Sequence, residues 1–202
     1  EFELLPDGGL RYIGPETECP VYHQLNLVWL ARYLDLTGDE RIRKLICDTV
    51  EYYPLTMTEG GYPESYTDCW WKHNWGPGWP VGPEIAACVA GDGRNKHLAN
   101  RAMEAMPPSE RFLSLGAGLV YRDDIPEEPL DDNWLVLDRN IDGPRGRYGN
   151  FYFAGIVGGG ARDTFAGCMV SEPDPIAPLK GALMAANIEA CLNAKADRFR
   201  GC

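Results

Sequence analysis

The chain has 202 residues, 45% hydrophobic and 11% aromatic, enough apolar material for a packed core in one large domain or two small ones and too much for a disordered protein. Thirty acidic residues against 19 basic ones give a formal net charge of −11, so no basic field exists to hold a phosphate backbone and nucleic acid is not expected as a partner. No apolar run is long enough to span a bilayer and no N-terminal segment resembles a signal peptide, so no membrane partner is expected either; a start at Glu1 fits a processed protein or a piece of a longer chain, which leaves localisation open.

In chain order, residues 21–36 carry Leu25, Val28, Trp29, Tyr33 and Leu34 on a mainly apolar helix, and Thr37-Gly38 stops it. Asp39 then caps a helix over 39–53, where Ile42, Leu45, Ile46, Thr49, Val50 and Tyr53 recur at the spacing of one apolar stripe. So short a connection makes an αα-hairpin, expected to pack through Leu25, Trp29, Ile42, Ile46 and Val50. A second hairpin follows: Pro83 at a first helical position opens 84–90, Gly91-Asp92-Gly93 breaks it, and 94–106 continues with Leu98, Ala102, Met103 and Met106 before Pro107-Pro108. The acidic, proline-bearing stretch 123–132 is the candidate boundary.

Beyond it the pattern changes. Segments 134–137, 148–157 and 164–170 are short, aromatic or β-branched and separated by Gly/Pro-rich turns, which predicts three antiparallel strands, with Leu135 and Leu137 on one buried face and Phe151 and Phe153 likewise. A last helix over 178–196 offers Leu179, Leu183, Met184 and Cys191 to one face. The expected fold is therefore mainly α with a small antiparallel β-sheet: a helical-hairpin region with an aromatic-rich loop at 1–122, and a sheet plus C-terminal helix at 133–202.

The seven cysteines are scattered, odd in number and never spaced as C-x-x-C, which argues against a disulfide scaffold or zinc ribbon and for buried small hydrophobes. Cys19/His23 and Cys69/His73 share a C-x-x-x-H spacing, so a Cys₂His₂ zinc site is arithmetically open, but structural zinc sites usually pair cysteine with cysteine and no metal is expected. The glycine-rich 155–160 completes neither a P-loop nor a dinucleotide fingerprint, so it reads as a turn and no cofactor is expected.

The chemistry concentrates in residues 60–83, GGYPESYTDCWWKHNWGPGWPVGP. Trp70, Trp71, Trp75 and Trp79 fall within ten residues, interleaved with Lys72, His73 and Asn74. Indole faces stack on the C–H faces of sugar rings while placed polar groups orient hydroxyls, so an oligosaccharide or polysaccharide is the expected ligand; the plainer alternative is packing beneath a long loop. His73 is the first candidate for proton transfer, with Tyr66, Asp68 and Glu64 close in sequence, and His23 is the second. Glu64 and Asp68 also form a possible glycosidase carboxylate pair. His97, among Asn95, Lys96 and Asn100, reads as surface.

The run YHQLNLVWLARYLDLTGDERIRKLICDTVEYY, followed by GGYPE and WWKHNW, resembles the helical-hairpin repeats of α/α-toroid carbohydrate-active enzymes, most of all polysaccharide lyases of heparinase and alginate-lyase type. The similarity covers about residues 6–106 and implies a partial toroid-like architecture. It also implies β-elimination on a uronic-acid-containing glycan, with Tyr66 and His73 as base and acid, Asn74 neutralising the carboxyl and His23 an alternative. Two departures stand against it. There are about two hairpins where a full toroid has many more, so the remainder of a longer chain is a further expected partner. The net acidity suits a polyanion badly, and only Arg139, Arg145, Arg147 and Arg162 answer it. A toroid glycoside hydrolase using Glu64, Asp68 or Asp132, and a noncatalytic sugar-binding or assembly module, are the alternatives.

Overall fold

The computed structural model describes residues 4–5, 8–11, 20–58, 61, 80–106, 115–138, 143–149, 151–156 and 167–171. Within them the fold is mainly helical with a small antiparallel sheet: helices α1 (Pro20–Thr37), α2 (Glu40–Cys47), α3 (Tyr52–Thr56), α4 (Val81–Ala90), α5 (Gly93–Ala105) and α6 (Leu115–Val120), then strands β1 (Asn133–Asp138), β2 (Gly143–Tyr148), β3 (Phe151–Ile156) and β4 (Gly167–Ser171). The last helix expected at 178–196 lies outside the described residues.

Both short helix connections form as the turn chemistry requires. Gly38 takes the left-handed conformation (φ +64°) and donates its N–H to Leu34 O at 2.7 Å, closing α1, while the Asp39 carboxylate accepts the Arg41 N–H and opens α2. Gly91 (φ +75°) closes α4 in the same way, and Asp92 caps α5 by accepting the Asn95 N–H at 2.9 Å.

The stripe over 39–53 is not one helix. The chain leaves α-geometry after Cys47, turns through i→i−3 bonds (Thr49 N to Ile46 O, Tyr52 N to Thr49 O) and restarts as α3. Pro54 is the physical reason. It has no N–H to give Val50 O, and its ring would collide with that carbonyl in a continuous helix. The freed carbonyl is taken instead by the Asn95 side-chain amide at 2.7 Å, which ties α5 to this turn.

The core gathers Leu27, Leu30, Ala31 and Leu34 from α1, Ile46, Tyr52 and Tyr53 from α2 and α3, Val81 and Ile85 from α4, and Leu98 and Ala102 from α5. Leu10, on an N-terminal bridge with Leu4, joins it. The expected inner face of α1 is thereby corrected: Leu25 and Trp29 are exposed, and the packing face is one turn-step around. An almost uniformly apolar helix has no polar side to mark which apolar side is inner.

The sheet has the order β1-β2-β3-β4, antiparallel throughout, with Leu135 opposite Gly146, Leu137 opposite Pro144, Tyr148 opposite Phe151 and Phe153 opposite Val170. It holds four strands where three were expected, because GPRGRY reads as a turn and forms β2. The expected burial of Leu135 and Leu137 is also reversed: they are 68% and 77% exposed, while Asp138, Arg145 and Arg147 on the alternate positions are buried. A buried ion pair between Arg145 and Asp138 at 2.6 Å compensates that inverted pattern.

Candidate functional site

Residues 62–79 lie outside the described residues, and with them Tyr66, Trp70, Trp71, Lys72, His73, Asn74, Trp75 and Trp79, as well as Glu64, Asp68 and Cys69. Their flanks are described. Gly61 (φ +80°) presses its backbone on α5, where a Cβ would come within 2.5 Å of Ala102 Cα. On the other side Pro80 and the first turn of α4 are buried, and a Cβ on Gly82 would overlap the Tyr53 hydroxyl. Only glycine lets the chain approach that closely at either flank.

His23 sits beside the second flank. Its ring is wholly buried, stacks on Tyr52 at 4.0 Å between centroids and meets Tyr53 edge-on at 5.2 Å. Nδ1 accepts the Leu10 N–H at 3.0 Å, so that nitrogen carries no proton in this arrangement and the neutral ring carries its proton on Nε2. The next residue, Gln24, accepts the Gly82 N–H through Oε1 at 2.9 Å and thereby satisfies one of the open donors of the α4 N-terminus. Burial pushes the Tyr53 hydroxyl well above the usual phenol range and keeps it neutral; it has no hydrogen-bond partner among the described residues. The group is a packed aromatic cluster that fixes where α1, α3 and α4 meet. Cys19 lies outside the described residues with Cys69 and His73, and no cluster of three or more metal-ligating side chains occurs among the described ones.

A second polar cluster was not expected from the sequence. Lys96 Nζ donates to Glu84 Oε1 at 2.6 Å and to Arg122 O at 3.3 Å and lies 4.6 Å from the centroid of the Tyr121 ring, while the Cys88 thiol donates to the same Glu84 oxygen at 3.3 Å and Sγ accepts the Arg122 N–H. Burial works against the Lys96 ammonium, but the bond to Glu84 and the charge of that carboxylate together outweigh it and hold its pKa above the ordinary lysine value. Burial and the Glu84 carboxylate push the Cys88 thiol to about 11, so it is no thiolate nucleophile near neutrality. Glu84 as the only charge in VGPEIAACVA was the available signal. Lys96 and Asn95, expected on a surface face, are both buried.

His97 does lie near the surface, with Nδ1 3.0 Å from Glu127 Oε2, and Asn100 donates to the other Glu127 oxygen at 2.7 Å. Glu128 N bonds to Gly93 O at 3.0 Å, and Ile125 and Leu130 are buried, so the acidic stretch is laid against the start of α5. Of the cations invoked for a polyanion, Arg145 is buried with Asp138, Arg147 is buried but pairs with the exposed Asp132, and Arg139 and Arg162 lie outside the described residues. No helix among the described residues is long and apolar enough to cross a membrane. Compared with protein families, curated proteins and solved structures, the chain matches none of them.

Proposed function

We propose that the chain is carbohydrate-active and acts through residues 60–83, as a polysaccharide lyase on a uronic-acid-containing glycan. One observation carries the reading. The stretch that concentrates four tryptophans, an imidazole, an amide and an ammonium is flanked on both sides by backbone seated closely on helices, at Gly61 on α5 and at Gly82 on Tyr53. A rigid scaffold on either side of a dense polar and aromatic stretch is how loops come to carry binding and catalysis. Among the described residues, His23, Glu84, Lys96 and Cys88 are buried and held in packing or polar contacts, which supports placing the chemistry in this stretch.

In the reaction Tyr66 removes the proton α to the uronate carboxyl, the electron pair is held by that carboxyl with Asn74 neutralising it, the β C–O bond breaks, and His73 protonates the leaving oxygen. The tryptophans stack on the neighbouring rings and Lys72 contributes a donor. The product carries a new C=C bond conjugated to the carboxyl.

A second reading draws on the charge. Arg145 is occupied in a buried ion pair, Arg147 is buried and paired with the exposed Asp132, and the chain carries −11, which favours a neutral glycan and hence a hydrolase or a binding module on the same tryptophans. Ultraviolet absorbance of the unsaturated product, measured beside reducing-sugar release on a panel of acidic and neutral polysaccharides, separates the readings. A lyase yields both signals and loses them in His73→Ala with binding retained. A hydrolase yields reducing ends alone. A binding module yields neither and loses affinity in Trp71→Ala. Absence of binding and turnover on every polysaccharide sinks the proposal.

A further inference from the structure

Helix α1 is apolar on both sides. Its 18 residues include only two formally charged side chains, Arg32 and Asp35. The inner side is filled by His23, Gln24, Leu27, Leu30, Ala31 and Leu34. The outer side carries Leu25 (39% exposed), Trp29 (68%), Tyr33 (48%) and Leu36 (67%), spaced four, four and three residues apart on one face that runs about 16 Å along the axis. A helix lying at a protein surface normally turns a charged face outward, as α2 does with Glu40, Arg41, Arg43 and Lys44. The outer face of α1 is mostly apolar, with Arg32 and Asp35 as the charges exposed beside the stripe.

We infer that this face is an interface with a second copy of the chain, formed by antiparallel packing of α1 on α1. The stripe is close to self-complementary. A two-fold axis crossing the helix at the level of residues 30–31 sets Leu25 against the partner's Leu36 and Trp29 against the partner's Tyr33. Arg32 then lies at the level of the partner's Trp29, where its guanidinium meets an aromatic face, and Asp35 at the level of the partner's Asn26, so no like charges oppose. The four residues expose on the order of 500 Å² if each is taken at roughly 200–250 Å² in full. That is more than half of the ~800 Å² per partner of a standard interface, and Asn26, Val28 and Arg32 beside the stripe extend it. The expected complex is a dimer of micromolar affinity. Because each copy carries −11 and the contact is apolar, added salt strengthens it by screening the repulsion. The inference stands on α1 alone and is independent of the carbohydrate reading.

Sedimentation equilibrium of the full 202-residue chain over a micromolar concentration series, at low and high salt, tests it. The expected result is a reversible monomer–dimer equilibrium that tightens with salt. Trp29→Glu weakens it by about thirtyfold or more, the loss of a central aromatic anchor. Leu36→Lys gives the same direction of change and serves as the second variant if Trp29→Glu disturbs folding, which circular dichroism and urea denaturation report. Leu137→Lys, on the exposed strand β1, leaves the equilibrium unchanged. A wild-type chain that stays monomeric throughout, a dimer that survives both α1 substitutions, or one lost through Leu137→Lys alone overturns the inference.

Discussion

Removing the Lys96 ammonium leaves the Glu84 carboxylate in the interior with only the Cys88 thiol as a donor among the described residues. Lys96→Ala is therefore expected to cost about 3–5 kcal/mol in urea denaturation, whereas replacing Glu84 and Lys96 together by apolar residues of similar volume is expected to come out near neutral, since both desolvation penalties vanish with the pair. A single substitution as mild as the double one would show that Glu84 finds other donors. Beside them Cys88, with its thiol pushed up to about 11, is expected to resist iodoacetamide in the native chain and to react once urea unfolds it, as mass mapping of alkylated peptides would reveal. At this scale the sequence was legible in part. Cys88 as a buried small residue, and the capping roles of Asp39 and Gly38, follow from residue type and position. The burial of His23 was not legible, because what occupies its Nδ1 is a backbone N–H thirteen residues earlier, and sequence spacing carries no trace of such a contact.

Each helix depends on features just outside its apolar stripe. Asp92 opens α5 and also binds Arg94, which reaches Glu51 at 2.6 Å and so ties α5 to the turn before α3. Burial works to raise the Asp92 pKa, but the Asn95 N–H and the Arg94 guanidinium outweigh it and hold the carboxyl below the usual carboxylate range. A depressed folded pKa contributes stability that is complete above the unfolded value near 4 and is lost as pH falls through the lower folded value. Asp92→Ala is expected to lose about 1 kcal/mol at neutral pH, and a wild-type advantage that fails to shrink in strong acid would exclude the ionised cap as its source. Ile46, fully buried on α2, is expected to cost about 2–5 kcal/mol as Ile46→Ala by the same denaturation assay. The elements themselves were largely legible where periodicity and caps agree, as at α1, α2, α4 and α5. They were misread where one residue overrides the pattern: Pro54 breaks a stripe that otherwise continues, and the Gly/Pro/Arg composition of β2 hides a strand whose partners, not its own residues, hold it in the sheet.

The whole molecule combines a large negative charge with apolar surface that is not covered, on α1 and on the sheet, where Leu135, Leu137 and Tyr148 are exposed. At neutral pH the charge keeps copies apart except where complementary faces meet. That protection fades as the carboxylates protonate and disappears at the isoelectric point, about 4.7. Some carboxylates resist: the Arg41 side chain holds Asp39 low, the Arg122 side chain holds Asp124 low, and the Asn100 amide holds Glu127 low, so these stay ionised while ordinary ones are lost. Light scattering is therefore expected to stay low at neutral pH and to rise steeply as the pH approaches the isoelectric point, with the exposed sheet residues as the contact that then becomes accessible to other copies. Leu137→Lys removes part of that apolar surface and adds one positive charge, and Asn133→Lys adds the same charge at an exposed polar position of the same strand. If the apolar face drives the association, the first variant scatters much less than the second at the pH of maximum scattering of each. Equal behaviour of the two would assign the effect to net charge and leave the exposed leucines without a part in it.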